Sequence, residues 1–183
     1  MFEYNSFGTP EAREQLAMRA FQAASSAQVP DNVKKGFIDL ATEQINAQAA
    51  AAPRDARYQL FAGGFWRNAG DSEKALGYLQ KAHELSPKKQ AILMEIGSVY
   101  LNAGKFDEAL AVLKEAYELA PAYDDARIAY AVGALYKGDN KLAALILAPL
   151  TERSGGAIPS EPLFQAYAKK GDYKNAVKVA EAL

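Results

Sequence analysis

A single period of 34 residues constrains this chain more than anything else in it. Pro53, Pro87 and Pro121 are spaced by 34, as are Gly70, Gly104 and Gly138, and also Ala41, Ala75, Ala109 and Ala143. Three residue types sharing one interval call for a repeated supersecondary unit, which buries its apolar face only by stacking on its neighbours. Within the period each residue has a mechanical task. Gly63 and Gly97 let two helices approach closely, and the alanines permit tight crossings. Trp66 and Tyr100 fill the space between neighbouring units. Gly70, Gly104, Gly138 and Gly171 fall where a first helix ends and the chain turns, because glycine tolerates the left-handed conformation at a helix C-terminus. Asp71, Asp139 and Asp172 follow as N-caps of the next helix.

The repeat divides the chain into helix pairs within one domain spanning residues 1–183. Residues 56–89 and 90–123 are the best copies. Residues 124–156 are degenerate, with Ala131 and Ala134 at the Gly and Tyr positions; their second helix is expected to end near Pro149, with Thr151 to Gly156 as a loop. Residues 157–183 form a truncated last unit carrying Leu163, Tyr167, Gly171 and Ala176. Upstream, 1–54 reads as a divergent hairpin. Thr9 caps a helix over about 10–28 with Leu16, Ala17, Ala20, Phe21 and Ala24 on one face. A second helix carries Val33, Phe37, Ile38, Leu40, Ala41 and Ile45 and ends before Pro53. The expectation is an all-α chain of about eight helices without a sheet.

Composition excludes much chemistry. Lys plus Arg (21) nearly cancels Asp plus Glu (22), which is unlike a nucleic-acid binder. The lysine doublets Lys34-Lys35, Lys88-Lys89 and Lys169-Lys170 are scattered among acids and read as solvated faces. There is no Cys, and His83 is the one histidine, so no thiolate zinc site, cysteine nucleophile or multi-histidine metal cluster is expected. His83, beside Glu84, reads as a surface residue without nucleophile or orienting partner. Asp124 and Asp125 suit a helix first turn, where acids meet the dipole favourably. Ala103-Gly104-Lys105 lacks the second glycine of a phosphate loop and has Phe106 where Ser or Thr binds magnesium. No enzyme activity, metal or cofactor is therefore expected. No run of apolar residues is long enough to cross a membrane, and Met1 to Ser6 lacks the charged and apolar regions of a secretory signal. A cytoplasmic location follows if Met1 is the natural start.

Residues 90–123, with Leu93, Ile96, Gly97, Tyr100, Ala109, Leu113 and Pro121 in place, resemble the tetratricopeptide repeat (TPR) family. The resemblance implies a right-handed α-α superhelix whose first helices line a concave groove. The family's groove positions correspond to Leu60, Gly64, Arg67 and Asn68; Met94, Ser98, Leu101 and Asn102; and Ile128, Val132, Leu135 and Tyr136. That groove is apolar with a polar rim, suited to an amphipathic helix or extended peptide. The alternative is that these side chains meet the N-terminal hairpin or a neighbouring protomer. Some relatives clamp a chaperone's C-terminal carboxylate with Lys, Asn and Arg. Here those positions hold Leu60, Gly64, Glu95, Asp125 and Ala129, and the two acids would repel a carboxylate.

Short segments, namely Thr9 to Leu16, Asp55-Ala56-Arg57 and Ser86 to Gln90, also resemble the soluble C-terminal tail of bacterial O-antigen ligase-type membrane proteins. That likeness implies an extracytoplasmic, membrane-tethered accessory domain in glycan assembly, cut from a longer chain. A third expectation is self-association: Val177, Val179, Ala180 and Leu183, without a capping helix, would leave an apolar C-terminal end that pairs with another copy.

Overall fold

The structure, a computed structural model, describes residues 9–183. Met1 to Ser6, read above for a signal segment, and the side chain of Thr9, expected from sequence to cap the first helix, lie outside what it describes. Among the described residues there are ten helices and no strand, about two more than the sequence suggests; the last unit, read as truncated, does form a short second helix. The chain divides into two compact units, one extending to Pro87 and the other Lys88–Leu183, so the division falls between two repeats.

The first unit holds α1 (Thr9–Ser25), α2 (Asp31–Ala51), α3 (Ala56–Asn68) and α4 (Ser72–Leu85). α1 packs on α2 and α3 on α4, with further contacts from α3 to both N-terminal helices. Its core joins Ala17, Ala20, Ala41, Ile45, Ala49, Ala62 and Phe65. Phe65 meets Phe21 at 5.2 Å between ring centres and the Trp66 edge at 5.6 Å. The face assigned to α2 from sequence is split: Ala41 and Ile45 point inward, whereas Val33, Phe37 and Leu40 remain about 40% exposed. An apolar run wider than one helical stripe cannot all face one neighbour. Trp66 does bridge to the preceding hairpin. Its indole N–H donates to Asn46 Oδ1 at 3.2 Å, and the Tyr78 hydroxyl donates to the same oxygen at 3.1 Å. Asn46→Ala would leave two part-buried donors unpaired and should destabilise this unit by about 1–3 kcal/mol. Urea unfolding followed by Trp66, the chain's one tryptophan, measures it.

The second unit holds α5 (Gln90–Asn102), α6 (Phe106–Leu119), α7 (Asp124–Lys137), α8 (Asn140–Arg153), α9 (Glu161–Lys169) and α10 (Tyr173–Ala180). These form three hairpins; α7 packs on both α5 and α6, and α9 packs on α7. The core runs through Leu113, Tyr130, Ala131, Ala134, Leu135, Leu147, Leu150, Leu163 and Ala166.

The local rules behind the repeat hold in both units. Gly70, Gly104, Gly138 and Gly171 all have φ between 72° and 89°. Behind each glycine the next N–H reaches back five residues: Asp71 to Trp66, Lys105 to Tyr100, Asp139 to Ala134 and Asp172 to Tyr167. This is the glycine-closed helix end that satisfies otherwise orphaned carbonyls. Asp71, Asp139 and Asp172 accept from the backbone N–H groups of Lys74, Leu142 and Asn175. The Lys74 N–H and ammonium together hold the Asp71 carboxyl below its ordinary pKa. A Cβ on Gly63 would stand 2.5 Å from Leu79 Cγ, and one on Gly97 2.6 Å from Leu113 Cγ, so the helices of each pair touch where only glycine fits.

Pro149 does not end α8, which continues to Arg153. The proline is exposed, and it removes the bond to Leu145, a residue 72% exposed, so water can take the orphaned carbonyl. At the next residue, Arg127 donates to the Ile146 carbonyl at 3.1 Å and also to the Pro121 carbonyl at 2.9 Å, while Thr151 Oγ1 donates to the Leu147 carbonyl. The loop accordingly begins three residues later than its sequence suggests, after Arg153. It turns on Gly155 and Gly156, both at positive φ, and then runs extended to Ser160, whose hydroxyl caps α9.

Candidate functional site

In the second unit, Met94, Ser98 and Leu101 lie along α5, and Ile128 and Val132 along α7. The spacings of three and four residues put each set on one helical face. The structure brings all five to one hollow of about 420 Å³. Its remaining lining is Leu113, Asp125, Ala129, Pro159, Ser160 and Pro162. Two helices thus form walls, and the extended approach to α9 closes one side. None of these last six was among the twelve groove candidates, although in sequence Asp125 and Ala129 stand at the positions of a carboxylate clamp. The available signal was the repeat interval itself: Gly138 to Gly171 and Ala143 to Ala176 are 33 residues apart, not 34, and two prolines bracket Ser160 where a helix should already have begun.

Other candidates sit elsewhere. Leu135 is 3% exposed and belongs to the core, because α7 is covered by α5, α6, α8 and α9 and Tyr130 to Leu135 are buried without a break. Tyr136 is half-buried, tilted against Phe106 at 5.9 Å, with the Lys169 ammonium 5.0 Å from its ring centre. Asn102 is the exposed last residue of α5. In the first unit Leu60, Gly64 and Arg67 are half-buried and Asn68 is exposed on α3.

The polar groups of the hollow are largely engaged. Ser98 Oγ donates to the Met94 carbonyl at 3.0 Å, and Ser160 Oγ accepts from the Leu163 N–H at 3.4 Å. Asp125 is the one charged residue in the lining and is exposed. Its Oδ2 accepts from the Tyr123 hydroxyl at 2.9 Å, a bond that raises the Tyr123 pKa. Its neighbour Asp124 is paired with Arg153. Both acids are in the first turn of α7, as their sequence position suggests.

Features set aside in the sequence stay modest. His83 is half-buried rather than superficial, and its Nδ1 has no hydrogen-bond partner. Ala103-Gly104-Lys105 forms the ordinary turn between α5 and α6. Among the described residues no group of His, Cys, Asp and Glu is arranged to hold a metal, and no helix is long and apolar enough to cross a membrane. At the C-terminal end Val179 is buried, while Tyr173, Val177 and Leu183 are 54–70% exposed.

Comparison with known proteins agrees with the repeat. Residues 68–114 match a tetratricopeptide repeat family model. A thermophilic TPR protein of Thermus thermophilus superposes with a TM-score of 0.68 at 16% identity, covering 94% of this chain and 89% of its own. Nearly identical TPR-like repeats of a Podosopora anserina kinesin light chain give 0.65 at 16% identity, over 97% and 94%. MamA from AMB-1 gives 0.57 at 22% identity, over 79% and 92%. No curated protein matches this chain, and the resemblance to O-antigen ligase-type tails finds no support. The chain is an all-α protein with the TPR fold, and residues 68–114 are tetratricopeptide repeat sequence.

Proposed function

We propose that this chain is a non-catalytic scaffold that binds a protein or peptide partner, and that the hollow between α5 and α7 is where the partner's apolar anchor docks. One observation carries the reading: five residues marked by repeat register alone, Met94, Ser98, Leu101, Ile128 and Val132, line one apolar hollow. Its volume lies within the roughly 300–1,000 Å³ of typical ligand pockets. Repeat scaffolds use such surfaces to hold extended partners through a few buried side chains.

Met94 is half-buried and lines the hollow without belonging to the buried core, so a charge there should act on binding and spare the fold. Peptides selected from a displayed random library on the wild-type protein should lose about tenfold or more in affinity against Met94→Glu, or about 1.4 kcal/mol. The helical circular-dichroism signal should be unchanged. Peptides that bind the variant equally well would discard the hollow as the site.

A further inference from the structure

The hollow's hydrogen-bonding inventory narrows what can occupy it. Two walls are helices, whose backbone N–H and C=O groups are satisfied internally away from their ends. The third wall contains Pro159 and Pro162, which have no backbone N–H. The hydroxyl of Ser98 donates to its own helix, and that of Ser160 is occupied as a cap. There is no sheet edge among the described residues. Around the hollow, backbone groups without a partner are confined to the first turn of α7 and the segment 157–160, so an extended peptide lying along α5 and the body of α7 would bury most of its own backbone groups unpaired, at a cost comparable to a lost hydrogen bond for each. A helical peptide brings its backbone already paired.

Charge narrows the occupant further. Asp125 is the one charged side chain in the lining. The adjacent Asp124 is neutralised by Arg153, whereas the partner of Asp125 is the uncharged phenol of Tyr123, which engages one of its two carboxylate oxygens. An anionic group beside an apolar hollow favours a cation near the docked anchor and disfavours an acid.

We infer that the occupant is an amphipathic helix with a bulky apolar anchor and a Lys or Arg about one turn away, the anchor between Met94 and Ile128 and the cation at Asp125. This rests on the hollow being the binding site. The shared chemistry with the proposed function is the anchor; the helix and the cation are the additions.

The test uses the whole chain and two displayed peptide libraries, one with a helix-stabilised backbone and one held extended by regularly placed prolines. The helical library should enrich an apolar residue with Lys or Arg three or four positions away. Selection against Asp125→Lys should replace that base with Asp or Glu. Peptides chosen on wild type should weaken about threefold to tenfold on Asp125→Lys, as expected for reversing one partly exposed ion pair. Enrichment from the extended library alone overturns the helix. Enrichment that is lost in Met94→Glu but shows no charge preference, or an acidic one, overturns the cation and leaves the hollow as the site. No enrichment from either library, or enrichment indifferent to Met94→Glu, overturns the hollow itself. Circular dichroism of Asp125→Lys separates misfolding from lost recognition, and Asp125→Asn, which keeps the shape, should give the same loss of basic preference if the carboxylate charge is responsible.

Discussion

Leu135→Glu should unfold the second unit and not merely remove a binding contact. Leu135 is 3% exposed and shares a cluster with Leu113, Leu147 and Leu163. A carboxylate placed there must either be buried without a partner or be protonated and still lack hydrogen bonds. Both routes belong to the class of substitutions that cost more than about 4 kcal/mol. That is a large fraction of the roughly 5–15 kcal/mol available to a whole domain. The expected result is loss of much of the helical signal, with residual structure confined to the first unit. Trp66 belongs to that unit, so its fluorescence should stay near the wild-type spectrum while circular dichroism falls. A cooperative, wild-type-like melt would mean that Leu135 faces the hollow after all. The contrast with Met94→Glu is the useful part: the same charge is introduced on two residues of the sequence-derived groove, one on an open wall and the other in a closed core.

Gly97→Val should destabilise the same unit by about 1–3 kcal/mol through overpacking. The Cβ alone would lie 2.6 Å from Leu113 Cγ, and two further methyl groups must then find room. Leu113 is 2% exposed, so it has no solvent to retreat into, and the α5/α6 pair must separate instead. Gly77 is the natural control, because a Cβ there meets nothing within 4 Å. Gly77→Ala should be neutral or slightly stabilising, since alanine loses less entropy in a helix than glycine. Thermal melts of the two variants side by side decide the matter. Equal midpoints would contradict the helix contact that defines the repeat register.

The parts of this molecule legible from sequence are those whose cause is local. A glycine at positive φ, an aspartate three residues before the N–H that it caps, and a glycine facing a leucine in the paired helix are all fixed by chemistry within one repeat. The parts that were not legible depend on neighbours distant in sequence. Pro149 looked like a helix end because the rule for proline is local, whereas its tolerance depends on no other element covering Leu145, which is 72% exposed and leaves its orphaned carbonyl to water. Leu135 looked like a groove residue because it shares a helical face with Ile128. The difference between wall and core is set by which helices cover α7, and periodicity cannot tell two covering surfaces apart. The closing wall of the hollow was hidden for a related reason. Pro159 and Ser160 sit where the repeat demands helix, which starts only at Glu161, and a departure from a pattern shows only that something differs, not what the altered segment touches.

The pairing of helices also bears on how each unit assembles. Among the described residues, every helix finds its partners in its own hairpin or an adjoining one. No contact inside a unit therefore waits on the closure of a long disordered stretch. Such low contact order belongs to chains that fold in roughly microseconds to milliseconds. The Gly-closed helix ends serve that route, since each turn is settled by its own few residues before the next hairpin arrives to cover it.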